Sequence, residues 1–270
     1  MYSTIFSRAG FSRLGYGWGT QLRVIHALMI RELHTRFGRE NIGFLWIMVE
    51  PLLFAGLVSI LWRFMKGPEE HGVSVVAFCI TGYIPLTLFR HGVSRSVSVF
   101  VANGSLLYHR QVKVIDFILA RFVIEVLGGM MAYVFIACIL IYFELFPIPA
   151  DIGLLIAGWF IYALFTLSLC LVIAPLSEMS EVIEKFIPVL TYIMIPFSGL
   201  VTMASWLTPS MRELFLWSPF VNAMELMRKG IWGNKITAYY DIWNPITCTM
   251  IFTVIGLILC RRVRRTLTIE

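Results

Sequence analysis

The chain has 270 residues, of which 59% are hydrophobic and 14% charged, with a mean hydropathy of +0.81. That leaves too little polar surface for a soluble globule of this length and indicates a polytopic, all-α membrane protein. The net charge of +6 arises from basic clusters flanking apolar runs, an arrangement that sets membrane topology and argues against nucleic acid as a partner.

Residues 1–17 are polar and glycine-containing and read as a loop; no apolar stretch follows Arg8 and Arg13, so no signal peptide is expected. From Trp18 onward Trp18, Leu22, Ile25, Met29, Leu33 and Phe37 recur at three- and four-residue steps, with Arg23, Ala27, Arg31 and His34 opposite. This predicts an interfacial amphipathic helix within a cytoplasmic N-terminal segment, 1–43.

Six apolar runs follow, at 44–65, 73–96, 117–143, 152–174, 186–205 and 242–260. At about 1.5 Å per helical residue each suits a hydrocarbon core of about 30 Å. The first carries Glu50-Pro51, a carboxylate that is costly at that depth without a partner. Glu50 is read as a structural or gating residue that pairs with Arg90, Arg121 or a neighbouring subunit, and Pro51 shares that role. The second run passes Pro85 and ends in a more polar helix through Arg90 and Arg95. In the third, Arg121 and Glu125 at i,i+4 are expected to pair.

Pro175 and the acidic positions Glu178, Glu181 and Glu184 mark a solvated, helix-compatible connection to the fifth run, which Pro188, Pro196 and Gly199 should kink. Thr208-Pro209 and Ser218-Pro219 each offer an N-cap followed by proline at the first helical position, and Gly230 stands where a helix would stop. Two short helices within 208–230 follow, too short to cross, re-entrant or on the outer surface, with Glu225 held by Arg228 or Lys229 as an exposed pair. A basic tail, 261–270, ends the chain. Sixteen of the 22 lysines and arginines fall on the side of the two termini and six on the other, so both termini are expected in the cytoplasm.

The chemistry-bearing residues form no catalytic set. No Gly-Lys dipeptide occurs, so there is no P-loop, and any ATP must be handled by another subunit. The histidines are scattered without an H-E-x-x-H or G-x-S-x-G motif, and the five cysteines lie singly in apolar runs, without disulfide or metal-ligand spacing.

Thr35-Arg36-Phe37, Gly43-Phe44-Leu45-Trp46, Glu50-Pro51, and Ser218-Pro219 followed by Glu225, Arg228 and Gly230 together resemble the permease subunits of ABC-type capsular polysaccharide exporters, of the ABC-2 type. The resemblance covers nearly the whole chain. It implies an ABC-2 type transmembrane domain over 44–260, six transmembrane helices with an interfacial helix before them and two short external helices. It further implies a bacterial inner-membrane homodimer docked to two ATP-binding subunits that hold ATP and Mg. Lipid-linked capsular polysaccharide would pass between the permeases to the periplasm, where further export proteins of the periplasm and outer membrane receive it. Under that reading Arg31, Arg36, Arg39, Tyr108, Arg110 and Lys113 receive the ATP-driven movement, and Glu50, Pro51, Arg121, Glu125, Glu225 and Arg228 are gating or structural. O-antigen, teichoic-acid or drug export on the same fold stays open as an alternative; a membrane-embedded transferase built around Glu69-Glu70-His71 is the most remote.

Aromatic residues concentrate in the first and fifth runs and the short helices. Phe44, Trp46, Phe54, Trp62, Tyr192, Phe197, Trp206, Phe215, Trp217 and Phe220 are candidates to line a sugar pathway, against the alternative that they anchor at interfaces or pack.

Overall fold

The computed structural model of the chain describes the backbone of residues 3–37, 42–97, 99–106 and 112–267, and the side chains of 17–35, 49–97, 99–104, 106 and 112–264. In order, the helices are α1 (Ser3–Phe37), α2 (Ile42–Lys66), α3 (Val75–Ser96), α4 (Val114–Tyr142), α5 (Ile152–Met179), α6 (Glu181–Ile193), α7 (Pro209–Leu216), α8 (Pro219–Trp232) and α9 (Trp243–Leu267). Between α2 and α3 lie two-residue strands, β1 (Glu69–Glu70) and β2 (Val73–Ser74).

Among the described residues α3, α4, α5 and the 243–264 portion of α9 are long and apolar enough to cross a membrane. α2, with 25 residues, also has the length, about 37 Å at the helical rise. The fifth expected span is not one helix. α6 has 13 residues, about 20 Å of rise, and stops where Pro196 can supply no N–H to continue it. A 3-10 turn over Pro196–Ser198 follows, Gly199 takes a left-handed φ of 83°, and the chain runs on to a second 3-10 turn at Ala204–Trp206.

Other boundaries move for equally local reasons. The residues read as an N-terminal loop belong to α1, since glycine weakens a helix without forbidding it. α5 runs through Pro175 to Met179, so the acidic connection shrinks to Ser180, and Glu181 and Glu184 occupy the first turn of α6, where carboxylates suit the helix dipole. α9 continues through the basic tail, with Val263 buried. α7 and α8 do begin at Pro209 and Pro219. Gly230, however, lies inside α8, and the helix ends at Gly233, whose φ is 56°.

The hairpin between α2 and α3 turns on His71-Gly72, both at positive φ, as a two-residue primed turn requires. Ser74 then caps α3 through the Ala77 amide, and its hydroxyl donates to the Leu145 carbonyl beyond α4. This defines a hairpin end of the bundle, opposite the basic end that carries the tail. α5 is the central packing element. α9 crosses it where Gly256 admits Leu171, and α8 where Gly158 and Gly230 let the two backbones meet.

Candidate functional site

α3 is the most enclosed of the candidate spans, 83% buried. Its side chains reach the surface only at Tyr83, Arg90, His91, Ser94 and Arg95. All five are polar. Tyr83, Arg90 and Ser94, at i, i+7 and i+11, share one helix face with His91 and Arg95 beside it. A helix that buries every apolar side chain and opens only along a polar stripe, toward its basic end, is arranged for something other than lipid contact.

That stripe is tied into the neighbouring helices by charge. His91 lies between two carboxylates: its Nε2 is 3.5 Å from Glu50 of α2, and its Nδ1 is 3.6 Å from Glu125 of α4. Glu125, 4% exposed, also holds Arg95 Nε at 2.9 Å. Arg121 donates to the Arg95 carbonyl at 2.9 Å and reaches back to Glu32 of α1 at 3.1 Å. Two more contacts clamp α1 to this end: Gln21 donates to Asp116, and Arg31 to Asn103 at 2.9 Å. Side chains from α1, α2, α3 and α4 therefore form one connected ionic cluster. Glu125 is the buried hub, the other ionic members being partly exposed, and residues that share one network do not act independently.

Toward the hairpin end a second polar centre holds the broken stretch 199–207. Glu225 and Arg228 of α8 face each other at 3.6 Å, both essentially without exposure. Glu225 accepts the Ala204 amide at 3.1 Å, and Arg228 donates to the Thr202 carbonyl at 3.1 Å. Arg212 of α7 binds the carbonyls of Ala204 and Leu207. Burial raises the Glu225 carboxyl and lowers the Arg228 guanidinium to about 10, and the mutual attraction of the pair opposes both shifts. The Arg228 guanidinium also lies 4.2 Å from the Phe78 ring, and Phe78 packs on Trp206, which contacts His71.

These two centres sit in a chain whose residues 23–232 match the family described as ABC-2 type transporter. The chain belongs to the ABC-2 type transporter family. It is 38% identical over 237 residues to the capsule polysaccharide export inner-membrane protein CtrC of Neisseria meningitidis serogroup B, covering 88% of this chain and 89% of that protein. It is 32% identical over 241 residues to BexB of Haemophilus influenzae, a protein of the same description, covering 89% and 91%. With the polysialic acid transport protein KpsM of Escherichia coli it shares 26% over 249 residues, 91% and 95% of the two chains.

Within this ABC-2 fold the residues singled out from sequence divide sharply. Glu50 contacts His91, neither Arg90 nor Arg121. Arg121 and Glu125 do not pair with each other: the i,i+4 spacing permits it, but stronger partners on α1 and α3 take both side chains. Pro51 is buried in α2. The Glu225–Arg228 pair, expected on an exposed face, is buried because α8 packs against α5 through glycine.

Among the aromatics, Phe54 (α2), Tyr192 (α6) and Phe197 are exposed, and Trp62 stacks on Phe78. Phe215 is half-buried, Trp217 is 80% exposed, and Phe220 is enclosed by Phe89, Tyr162 and Phe165, so these three share no common face. Lys113 precedes α4, its amide bonded to Asp116. The side chains of Phe44, Trp46, Arg36, Arg39, Tyr108 and Arg110 lie outside the described residues. Sequence reasoning missed His91, Arg95 and Glu32 as members of the ionic cluster. The i,i+4 spacing of His91 and Arg95 at the polar end of the second run was the available signal.

Proposed function

We propose that this chain is the inner-membrane permease subunit of an ATP-driven exporter of lipid-linked capsular polysaccharide, with both termini in the cytoplasm. The observation that carries the reading is the near full-length similarity, at 38% and 32% identity, to two capsule polysaccharide export inner-membrane proteins. Two copies would form the conduit, with ATP and Mg bound by two partner subunits, and further export proteins would take over in the periplasm.

The geometry gives this reading a mechanical form. Force delivered to the segment around Arg31 to Asn41 reaches α1, which is joined to α4 by Gln21–Asp116 and Glu32–Arg121 and thence to α3 and α2 through Arg95, Glu125, His91 and Glu50. The cargo face is assigned to the polar stripe of α3 together with the exposed aromatics Phe54 of α2, Tyr192 of α6 and Phe197 in the turn after α6; Phe44 and Trp46 are retained as pathway candidates from the sequence alone. The Glu225–Arg228 clamp would hold the broken stretch after α6 as the exit-side gate.

The test is deletion in the source strain with plasmid complementation. Loss of surface polysaccharide with accumulation of lipid-linked polymer inside the cell is expected, together with co-purification of an ATP-binding subunit. Unchanged surface polysaccharide in the deletion strain rejects the reading.

A further inference from the structure

Arg90 differs from the other arginines of the α3–α4 region. Arg95 and Arg121 each hold a carboxylate, whereas among the described residues no ion pair includes Arg90. Its Nε is shielded from solvent and has no hydrogen-bond partner. Its guanidinium carbon lies 4.4 Å from the centre of the Tyr192 ring of α6. A guanidinium inside a candidate membrane span is expensive, and an aromatic face returns only part of that cost. The nearby carboxylate of Glu50 is engaged with His91 at 3.5 Å.

Tyr192 is 59% exposed, so the stacked pair stands at an open face, and that face is the polar stripe of α3. An arginine stacked on a ring keeps the edge of its guanidinium free, a planar fork that fits the two oxygens of a carboxylate or phosphate.

We propose that Arg90 and Tyr192 form a binding site for an anionic group, a carboxylate or phosphate, carried by the exported polymer. The site rests on the permease reading and refines it: the cargo is anionic, and it is gripped on the face of α3 that lies toward α6. Tyr192 orients the guanidinium and Arg90 supplies the charge. Glu50 has its own partner in His91, at 3.5 Å.

The experiment uses the complex of permease and ATP-binding subunits in phosphatidylcholine nanodiscs. Binding of two fluorescent probes is measured by anisotropy: an oligogalacturonate, with one carboxylate per sugar, and maltoheptaose, with none. Wild type is expected to bind the first and not the second. Arg90→Gln should weaken binding by about tenfold or more, the scale of a lost charge-assisted contact. Arg90→Lys should fall between, and Tyr192→Phe should keep the affinity that Tyr192→Ala loses. Because Tyr192 is exposed, its variants report even where Arg90→Gln fails to assemble.

Equal binding of the two probes, no binding of either, or an oligogalacturonate affinity indifferent to Arg90→Gln and Tyr192→Ala overturns the proposal. Displacement of the oligogalacturonate by phosphatidylglycerol added to the nanodisc would assign the site to a bilayer phosphate and overturn the cargo assignment. Failure of the permease reading shows separately, as surface polysaccharide that survives deletion of the gene.

Discussion

Gly230 of α8 and Leu155 of α5 meet backbone to backbone: a β-carbon at Gly230 would sit 2.5 Å from the Leu155 amide nitrogen. Gly158 repeats the arrangement from the other side, where a β-carbon would lie 2.8 Å from the Met227 nitrogen. Neither obstacle is the movable tip of a side chain, so the helices must separate. Gly230→Ala and Gly158→Ala are each expected to destabilise the subunit by about 1–3 kcal/mol. Gly56→Ala, inside α2 with nothing within 4 Å, should be neutral or stabilising by up to about 1 kcal/mol. Thermal unfolding of purified protein in detergent checks this; equal melting temperatures for all three would show that the crossing relaxes freely.

The Glu225–Arg228 pair is the second case in which burial sets the magnitude. On an exposed helix such a pair is worth about 0.3–0.5 kcal/mol. At 1% and 0% exposure, removing one partner strands the other charge, at a cost of about 3–5 kcal/mol. Glu225→Met and Arg228→Met should therefore each cut the yield of assembled subunit severely. The combined replacement by Met at both positions should restore much of it, at the expense of the grip on Thr202 and Ala204. A thermodynamic cycle over the single and double variants checks the claim, and strictly additive losses would refute it.

The topology has a direct test. With the exposed Cys138 replaced by alanine, a cysteine at Asn234, exposed near the hairpin end, should react with a membrane-impermeant maleimide in cells with permeabilised outer membranes. One at Arg262 should react only after the inner membrane is opened. The reverse pattern would invert the proposed orientation.

Docking of α1 predicts that charge reversal at Glu32 or Arg121 uncouples ATP hydrolysis from export more than it lowers stability. The pair is partly exposed, at 24% and 17%, and separated by 3.1 Å, so its own contribution is about 1 kcal/mol or less. The swap Glu32→Arg with Arg121→Glu should recover at least half of the export per ATP hydrolysed. A swap no better than either single change would exclude this contact from the coupling path.

The positions of five long helices were legible in the sequence because apolar runs and flanking charges are local signals. What was not legible required knowing neighbours. Arg121 and Glu125 satisfy the helix-pair spacing, yet their partners come from α1 and α3, elements far away in sequence. Pro175 reads locally as a helix stop, but α5 is packed on both sides and carries the helix through it. Gly230 reads as a terminator for the same local reason, and only the crossing with α5 shows that its missing side chain serves contact. The short helices illustrate both outcomes: proline fixed where α7 and α8 begin, while their burial followed from partners the local pattern does not name. Neither Thr208 nor Ser218 caps its helix through its hydroxyl, and that of Ser218 donates to the Phe197 carbonyl at 2.6 Å.

His91 offers the last prediction, since it touches both Glu50 and Glu125 and joins α2 to α4 across α3. Its side chain is 28% exposed and its contacts are 3.5 and 3.6 Å long, so it is a link more than a support. Glu125 has a closer partner in Arg95, at 2.9 Å, that does not depend on the imidazole. His91→Ala should therefore lower the melting temperature only slightly, and lower the export rate by several-fold. Glu50→Gln weakens the same link from its other end. If both act through one connection, the double variant should export at about the rate of the worse single variant, because residues in one network do not add. The measurement is surface polysaccharide per assembled complex in the complemented deletion strain. Independent, multiplying losses would mean that Glu50 acts on the cargo face by itself, and the route from α4 to α2 would then have to run elsewhere.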